Sequence, residues 1–248
     1  MHKQDHIAID AVARRFSEDW ERGNDPAAAY IVIATTRIAI EAAKLALRGT
    51  RQGWAANLRL RFDKVATRLL DRLQATLGAI VPHGRTVLLT ITAPIQLPSK
   101  TAAALETTVQ TLLGPGSRDR DEKETIHGNR VRIRLVRHES AHAPSVIGFV
   151  HNSDSDPLLL LNIADEMLQV LLAKANRRLP RPADRRWLAL LSPSPKSHLG
   201  VYRHICAQLM GAIAFGKVFL VSPDGGVELL GDESSLRPAP SSPPRKPR

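Results

Sequence analysis

The chain has 248 residues, 43% of them hydrophobic and only 4% aromatic, with 35 Lys plus Arg against 24 Asp plus Glu and a single cysteine. That length supports a core without metal or disulfide staples, and Cys206 has no intrachain partner, so a stapled secreted scaffold is excluded and a cytoplasmic location is expected. The segment 1–10 is too polar for a signal peptide and no apolar run reaches the 18 residues of a spanning helix, so no membrane span is expected.

Charge is unevenly placed. Residues 1–30 carry a net −2, whereas residues 31–85 carry +7. Of the cations 26 are Arg and 9 are Lys, a bias that genomic base composition can produce, although it does not explain the excess of cations over anions. A field of this sign favours polyanions, because clustered cations release condensed counterions when they meet phosphates.

In chain order, Asn24, Asp25 and Pro26 make a cap-and-proline start, and the Ala-, Ile- and Leu-rich stretch 27–48, closed by Gly49, predicts a helix. A second helix is predicted over 55–80, with Leu58, Phe62, Val65, Leu69, Leu73 and Leu77 as one apolar stripe. Beside it, Arg61, Lys64, Arg68 and Arg72 recur every three or four residues and predict an exposed basic ridge. Pro82 and Gly84 end this helical region, placed at 1–80. An α/β region over 81–231 follows, with a strand at 86–92 and a helix at 99–113. Residues 114–129 read as a mobile polar connection without core. Val131, Ile133 and Leu135 alternate with Arg130, Arg132 and Arg134, the period of a half-exposed strand and a second basic patch. A strand at 146–150 is expected to pair with it. A helix then runs over 157–178, a strand over 187–191, a helix carries Tyr202, Ile205, Leu209 and Ile213, and strands at 217–221 and 227–230 flank a turn. Residues 232–248 form a basic tail, with five prolines in 237–248, that predicts disorder. The fold class expected is mixed α/β.

The sharpest chemical motif is His138-Glu139-Ser140-Ala141-His142, the His-Glu-x-x-His pattern. On a helix, positions i and i+4 share a face, so both imidazoles can bind one zinc ion while the Glu polarises its water. With the downstream Asn162-Ile163-Ala164-Asp165-Glu166, the segment resembles the gluzincin type of zinc peptidase. That resemblance implies His138, His142 and Glu166 as zinc ligands and Glu139 as general base. The alternating strand before the motif and Pro144 after it predict a hairpin loop instead, with the His and Glu side chains solvated.

Gly211-Ala212-Ile213-Ala214-Phe215-Gly216-Lys217 mimics a phosphate loop, but Val218 stands where Ser or Thr should follow, and the segment closes a helix and enters a strand, the reverse order. The latter half, a helix, then 187–192, another helix and 215–221, resembles restriction-endonuclease-like domains in element order. Its metal-binding acids have no good counterpart. Asp121-Glu122-Lys123 fits the spacing but falls in the polar connection. No Gly-x-Ser-x-Gly elbow or cysteine-protease signature occurs, and Cys206 abuts an apolar helix face, where an inert thiol is expected. Trp20, Trp54 and Trp187 are too scattered to form a stacking platform.

The function expected is therefore a non-enzymatic interaction protein. It would bind nucleic acid or an acidic protein surface through Arg61, Lys64, Arg68 and Arg72, with Arg130, Arg132 and Arg134 as a second patch. A zinc hydrolase at His138 and His142 competes with it, as does a scaffold subunit or inactive nuclease-like domain.

Overall fold

Residues 31–40 carry seven β-branched side chains in ten positions, and such side chains are better accommodated on a pleated sheet than in a helix. In the computed structural model this stretch is a hairpin, not the helix predicted over 27–48. Strands β2 (Ala28–Ile33) and β3 (Thr36–Lys44) pair antiparallel across a turn in which Ala34 takes φ +53°. The alternation that decides it is Ile38, Ile40 and Ala42 on one face against Ala39, Glu41 and Ala43 on the other. The structure describes residues 3–22, 28–46, 58–114, 121–140, 142–179, 183–192 and 198–233. Of the tail predicted to be disordered over 232–248, Asp232 is instead part of a strand, and the part beyond residue 233 lies outside the described residues, as does Trp54.

The architecture is mixed α/β, with five α-helices and two mixed sheets among the described residues. The first sheet joins β1 (Glu21–Arg22), β2, β3, β8 (Arg185–Leu191), β9 (Lys217–Val221) and β10 (Val227–Asp232), in that order. Its three central strands β3, β8 and β9 are parallel, and the outer strands are antiparallel. The second sheet runs β5 (Asp121–Ile126), β6 (Asn129–Arg137), β4 (Arg85–Thr92), β7 (Val146–His151). Here β7 pairs in parallel with β4, not with β6 as expected, because the other edge of β6 is taken by β5. The connection predicted at 114–129 thus contains a strand: Thr125 and Ile126 lead into a two-residue turn, His127 and Gly128 at positive φ, and Ile126 is buried.

Helix α1 (Lys3–Arg15) covers one face of the first sheet, where Ile9 and Val12 meet Ile38, Ile40, Trp187 and Phe219. Helices α2 (Lys64–Gly78) and α3 (Pro98–Leu112) cover one face of the second sheet. Between the sheets lies α4 (Pro157–Ala175), with α5 (Leu199–Leu209) beside it. This placement explains α4's composition. A helix packed between two sheets must be apolar over most of its circumference: Leu160, Ile163, Met167, Leu168 and Leu171 meet Ile147 and Phe149 of one sheet and Leu188 and Leu190 of the other in one core, while Asn162, Asp165, Glu166 and Gln169 mark the side left open. No helix among the described residues is long and apolar enough to cross a membrane.

Candidate polyanion-binding surface

Helix α2 starts later than its apolar pattern suggests. The Asp63 carboxylate accepts from the backbone N–H groups of Val65 and Ala66, both at 3.1 Å, and so fixes the first turn at Lys64. Residues 59–61 run extended along the edge of β7, with Arg61 N–H donating to the Val150 carbonyl at 2.7 Å. The helix buries Ala66, Leu69, Leu73 and Leu77. Phe62 and Val65, assigned above to that stripe, are instead 63% and 45% exposed, the first because it precedes the helix and the second because it sits off the buried face. Leu58 is buried, but ahead of the helix.

Three of the four ridge cations fall where helical spacing puts them, and Arg61 does not, because the helix begins only at Lys64. Lys64, Arg68 and Arg72 follow one another along the exposed flank of α2, and Arg61 stands in the extended segment just before it. Arg72 Nε lies 3.3 Å from Glu106 of α3, and the Arg61 guanidinium 3.5 Å from Asp63. Among the described residues no carboxylate pairs with Lys64 or Arg68. Asp63 is held below the usual carboxylate range by the N–H of Ala66, against a smaller opposing effect of burial, and remains an anion at the head of the ridge.

The three arginines of β6 part company. Arg132 and Arg134 grip the Asp121 carboxylate from two sides, at 2.5 and 2.8 Å, and Arg134 also donates to Asn162 at 2.9 Å. Burial would raise the Asp121 carboxyl, but the two guanidiniums hold it below its usual range. Arg130 is exposed and has no carboxylate partner among the described residues. It borders a cavity of about 220 Å3 that Lys123 and His151 also line. The same Asp121 belongs to the endonuclease-like spacing, where it is already occupied as an arginine clamp.

The described residues of the His-Glu-x-x-His segment, all but Ala141, follow β6 outside any helix, as expected, but the loop is not the hairpin predicted, since β6 and β7 flank β4 instead of pairing with each other. His138 Nε2 meets the Thr86 hydroxyl at 3.0 Å, and since that hydroxyl donates to the Pro144 carbonyl at 2.7 Å, the imidazole must be its donor. His138 is half-buried rather than solvated as expected, and that burial lowers its pKa and so disfavours the charged ring. Glu139 and His142 are exposed, and the Glu166 carboxylate accepts from Ala46 N–H at 2.9 Å. His138, His142 and Glu166 make no three-ligand cluster, and no such grouping occurs among the described residues. The i, i+4 helical geometry on which the zinc-peptidase resemblance rests is not present in the described residues of the motif.

Two further motifs resolve as structure. Gly211 lies in a short 3-10 turn, Met210–Ala212, and Lys217 bonds Asp232 at 2.6 Å. The Cys206 thiol is buried, which pushes its pKa up to about 12 and leaves it inert. Sequence reasoning missed two residues. Phe62 looked like core, and His151 carried no motif at all. No protein-family model matches the chain, and no curated protein or solved structure does either.

Proposed function

We propose that the protein binds nucleic acid, in a non-enzymatic role, along the flank of α2 carrying Lys64, Arg68 and Arg72, together with Arg61 in the extended segment just before it. One observation carries this reading: Lys64 and Arg68 are exposed at helical spacing with no carboxylate partner among the described residues, and at the head of the ridge Phe62, 63% exposed, lines one cavity with Arg61. Cations alone suit any acidic surface. An adjacent exposed aromatic suits unpaired bases, which stack on a ring while phosphates meet the cations. Phe62 meets His204 edge to face, with ring centroids 5.2 Å apart and planes at 63°.

Contacts of this kind give affinity with little sequence preference and a steep dependence on salt. Anisotropy titrations of single-stranded and duplex DNA at two salt concentrations test the proposal. With three phosphates engaged, the logarithm of the single-strand binding constant should fall with the logarithm of salt at a slope of roughly −2. The K64E/R68E double variant should lose most of that slope, and Phe62→Ala should weaken single-strand binding more than duplex binding. Salt-independent binding, or none, would overturn the reading. Capture of an acidic peptide in place of DNA would move the surface to a protein partner.

A further inference from the structure

Strands β4 and β7 run parallel and finish side by side at one end of the second sheet, with Thr92 and His151 in register as their last residues. Thr90 is in register with Arg132, which in turn faces Lys123 on β5. Thr90, Thr92, Arg130, Arg132 and His151 therefore share one face of the sheet, and with Lys123 they line the cavity of about 220 Å3 at the foot of α4.

His151 is the unusual member. It is only 2% exposed, its Nδ1–H donates to the Asn152 carbonyl at 2.8 Å, and its Nε2 is buried with no partner. The fixed Nδ1–H makes Nε2 a lone-pair acceptor, and a buried acceptor without a donor is costly unless something else supplies one. Burial holds the imidazole below its ordinary pKa; the Asn152 carbonyl opposes that, the Arg130 charge reinforces it, and Asp156 and Asp154 act against it. Asp156 already takes the N–H groups of Leu158 and Leu159, at 2.8 and 3.2 Å, so the end of α4 has none of these to offer and the side chains must do the binding.

We infer that this cavity holds a phosphate group, with Arg130 and Lys123 pairing with its charge and His151 Nε2 accepting a hydrogen bond from a P–OH or an adjacent hydroxyl of the ligand. Neither Arg130 nor Lys123 has a carboxylate partner among the described residues, whereas Arg132 is turned to Asp121. The acceptor sets the chemistry. Inorganic phosphate carries a P–OH at neutral pH and sulfate carries no proton, so a neutral His151 favours the first over an anion of the same shape. This site does not depend on the α2 ridge.

Calorimetry on the full chain at pH 7.5 and constant ionic strength tests it, with inorganic phosphate, sulfate and ribose 5-phosphate as probes. Phosphate should bind at least tenfold tighter than sulfate, and R130Q should weaken phosphate about tenfold. His151→Leu should abolish the preference for phosphate. Because that variant alters a buried position, imidazole nitrogen resonances of the wild type give a second reading: Nε2 of His151 should shift with phosphate and not with sulfate. Tighter ribose 5-phosphate would identify a phosphate ester as the ligand, and tighter inorganic phosphate the free ion. Equal affinity for phosphate and sulfate, no binding at millimolar phosphate, or an unmoved Nε2 resonance would overturn the inference. So would loss of phosphate binding in K64E/R68E, which would place the anion on the ridge; the DNA titration can fail without touching any of these outcomes.

Discussion

The two sheets use charge in opposite ways. On the first, the carboxylate of Glu41, 1% exposed, bonds Arg186, whose guanidinium also donates to the Lys174 and Ala175 carbonyls at the end of α4 and lies 4.9 Å above the Phe215 ring. Lys217 and Asp232 close a second pair nearby. On the second sheet the pattern is split: Arg132 and Arg134 are turned inward to Asp121, while Arg130 and Lys123, toward the open end, are left to solvent. Cations covered by a helix acquire internal partners, since an unpaired charge cannot be buried cheaply. Those beyond the helix need none. Sequence alternation alone does not distinguish the two kinds, and the contrast can be broken experimentally.

The largest effect should come from the covered pair. Arg186→Ala leaves the Glu41 carboxylate buried and uncompensated and should cost about 3–5 kcal/mol in urea unfolding. Replacing both partners with Met should cost clearly less than Arg186→Ala alone. A loss below about 1 kcal/mol for Arg186→Ala would show that the first sheet does not depend on its internal charge, and the comparison between sheets would fail.

Acid should act next. Burial lowers the pKa of His151 and of His204, and of the more open His138. His204 is neutral with Nε2–H donating to the Gly148 carbonyl at 2.9 Å. Because folding depresses these values, the unfolded chain binds more protons once pH falls below its own histidine value near 6.5. Their stabilising contribution is complete above that pH and is lost on acidification, at up to about 1.4 kcal/mol per pH unit for each imidazole. The Asp121 clamp is also held low, but it weakens only as pH falls below the carboxylate's ordinary 3.8. Thermal unfolding from pH 7.5 to 4.5 should therefore be flat at first and then decline from about pH 6.5, well before carboxylates titrate. A melting temperature that rises between pH 6.5 and 5 would contradict the buried, neutral imidazoles.

Much of this was legible in the sequence, for physical reasons that also explain the failures. Strand β6 declared itself by strict alternation of Val131, Ile133 and Leu135 with arginines, and α4 by the proline at its start, Pro157. The β2–β3 hairpin was misread because Ala, Ile and Leu satisfy helix composition, while the β-branched density over 31–40 and the left-handed Ala34 were the features that decided it. Strand β5 was hidden because its exposed face is charged, from Asp121 through Lys123, and only Ile126 reaches the core. The ridge positions on α2 followed from four-residue spacing. The free Arg130, the clamped Arg134 and the orphaned nitrogen of His151 did not, since each depends on what the chain brings from a distant strand or helix.

The smallest and most discriminating effect lies within one strand. Arg134 and Arg130 sit four residues apart on β6 and point to the same face. Arg134, its side chain 16% exposed, bonds Asp121 and Asn162 and lies 3.7 Å from Asp165, so Arg134→Ala removes charge-assisted bonds and leaves Asp121 to Arg132 alone. A loss of about 1.5–3 kcal/mol is expected for a hydrogen-bonded charge of this kind. Arg130→Ala removes no bonded partner and should stay within about 0.5 kcal/mol of the parent. If the two substitutions cost the same in denaturant unfolding, helix cover does not decide which cations fold the protein and which remain to meet a ligand. If they differ as stated, Arg130 contributes little to stability, and any loss of anion binding on its removal is a loss of contact rather than of structure.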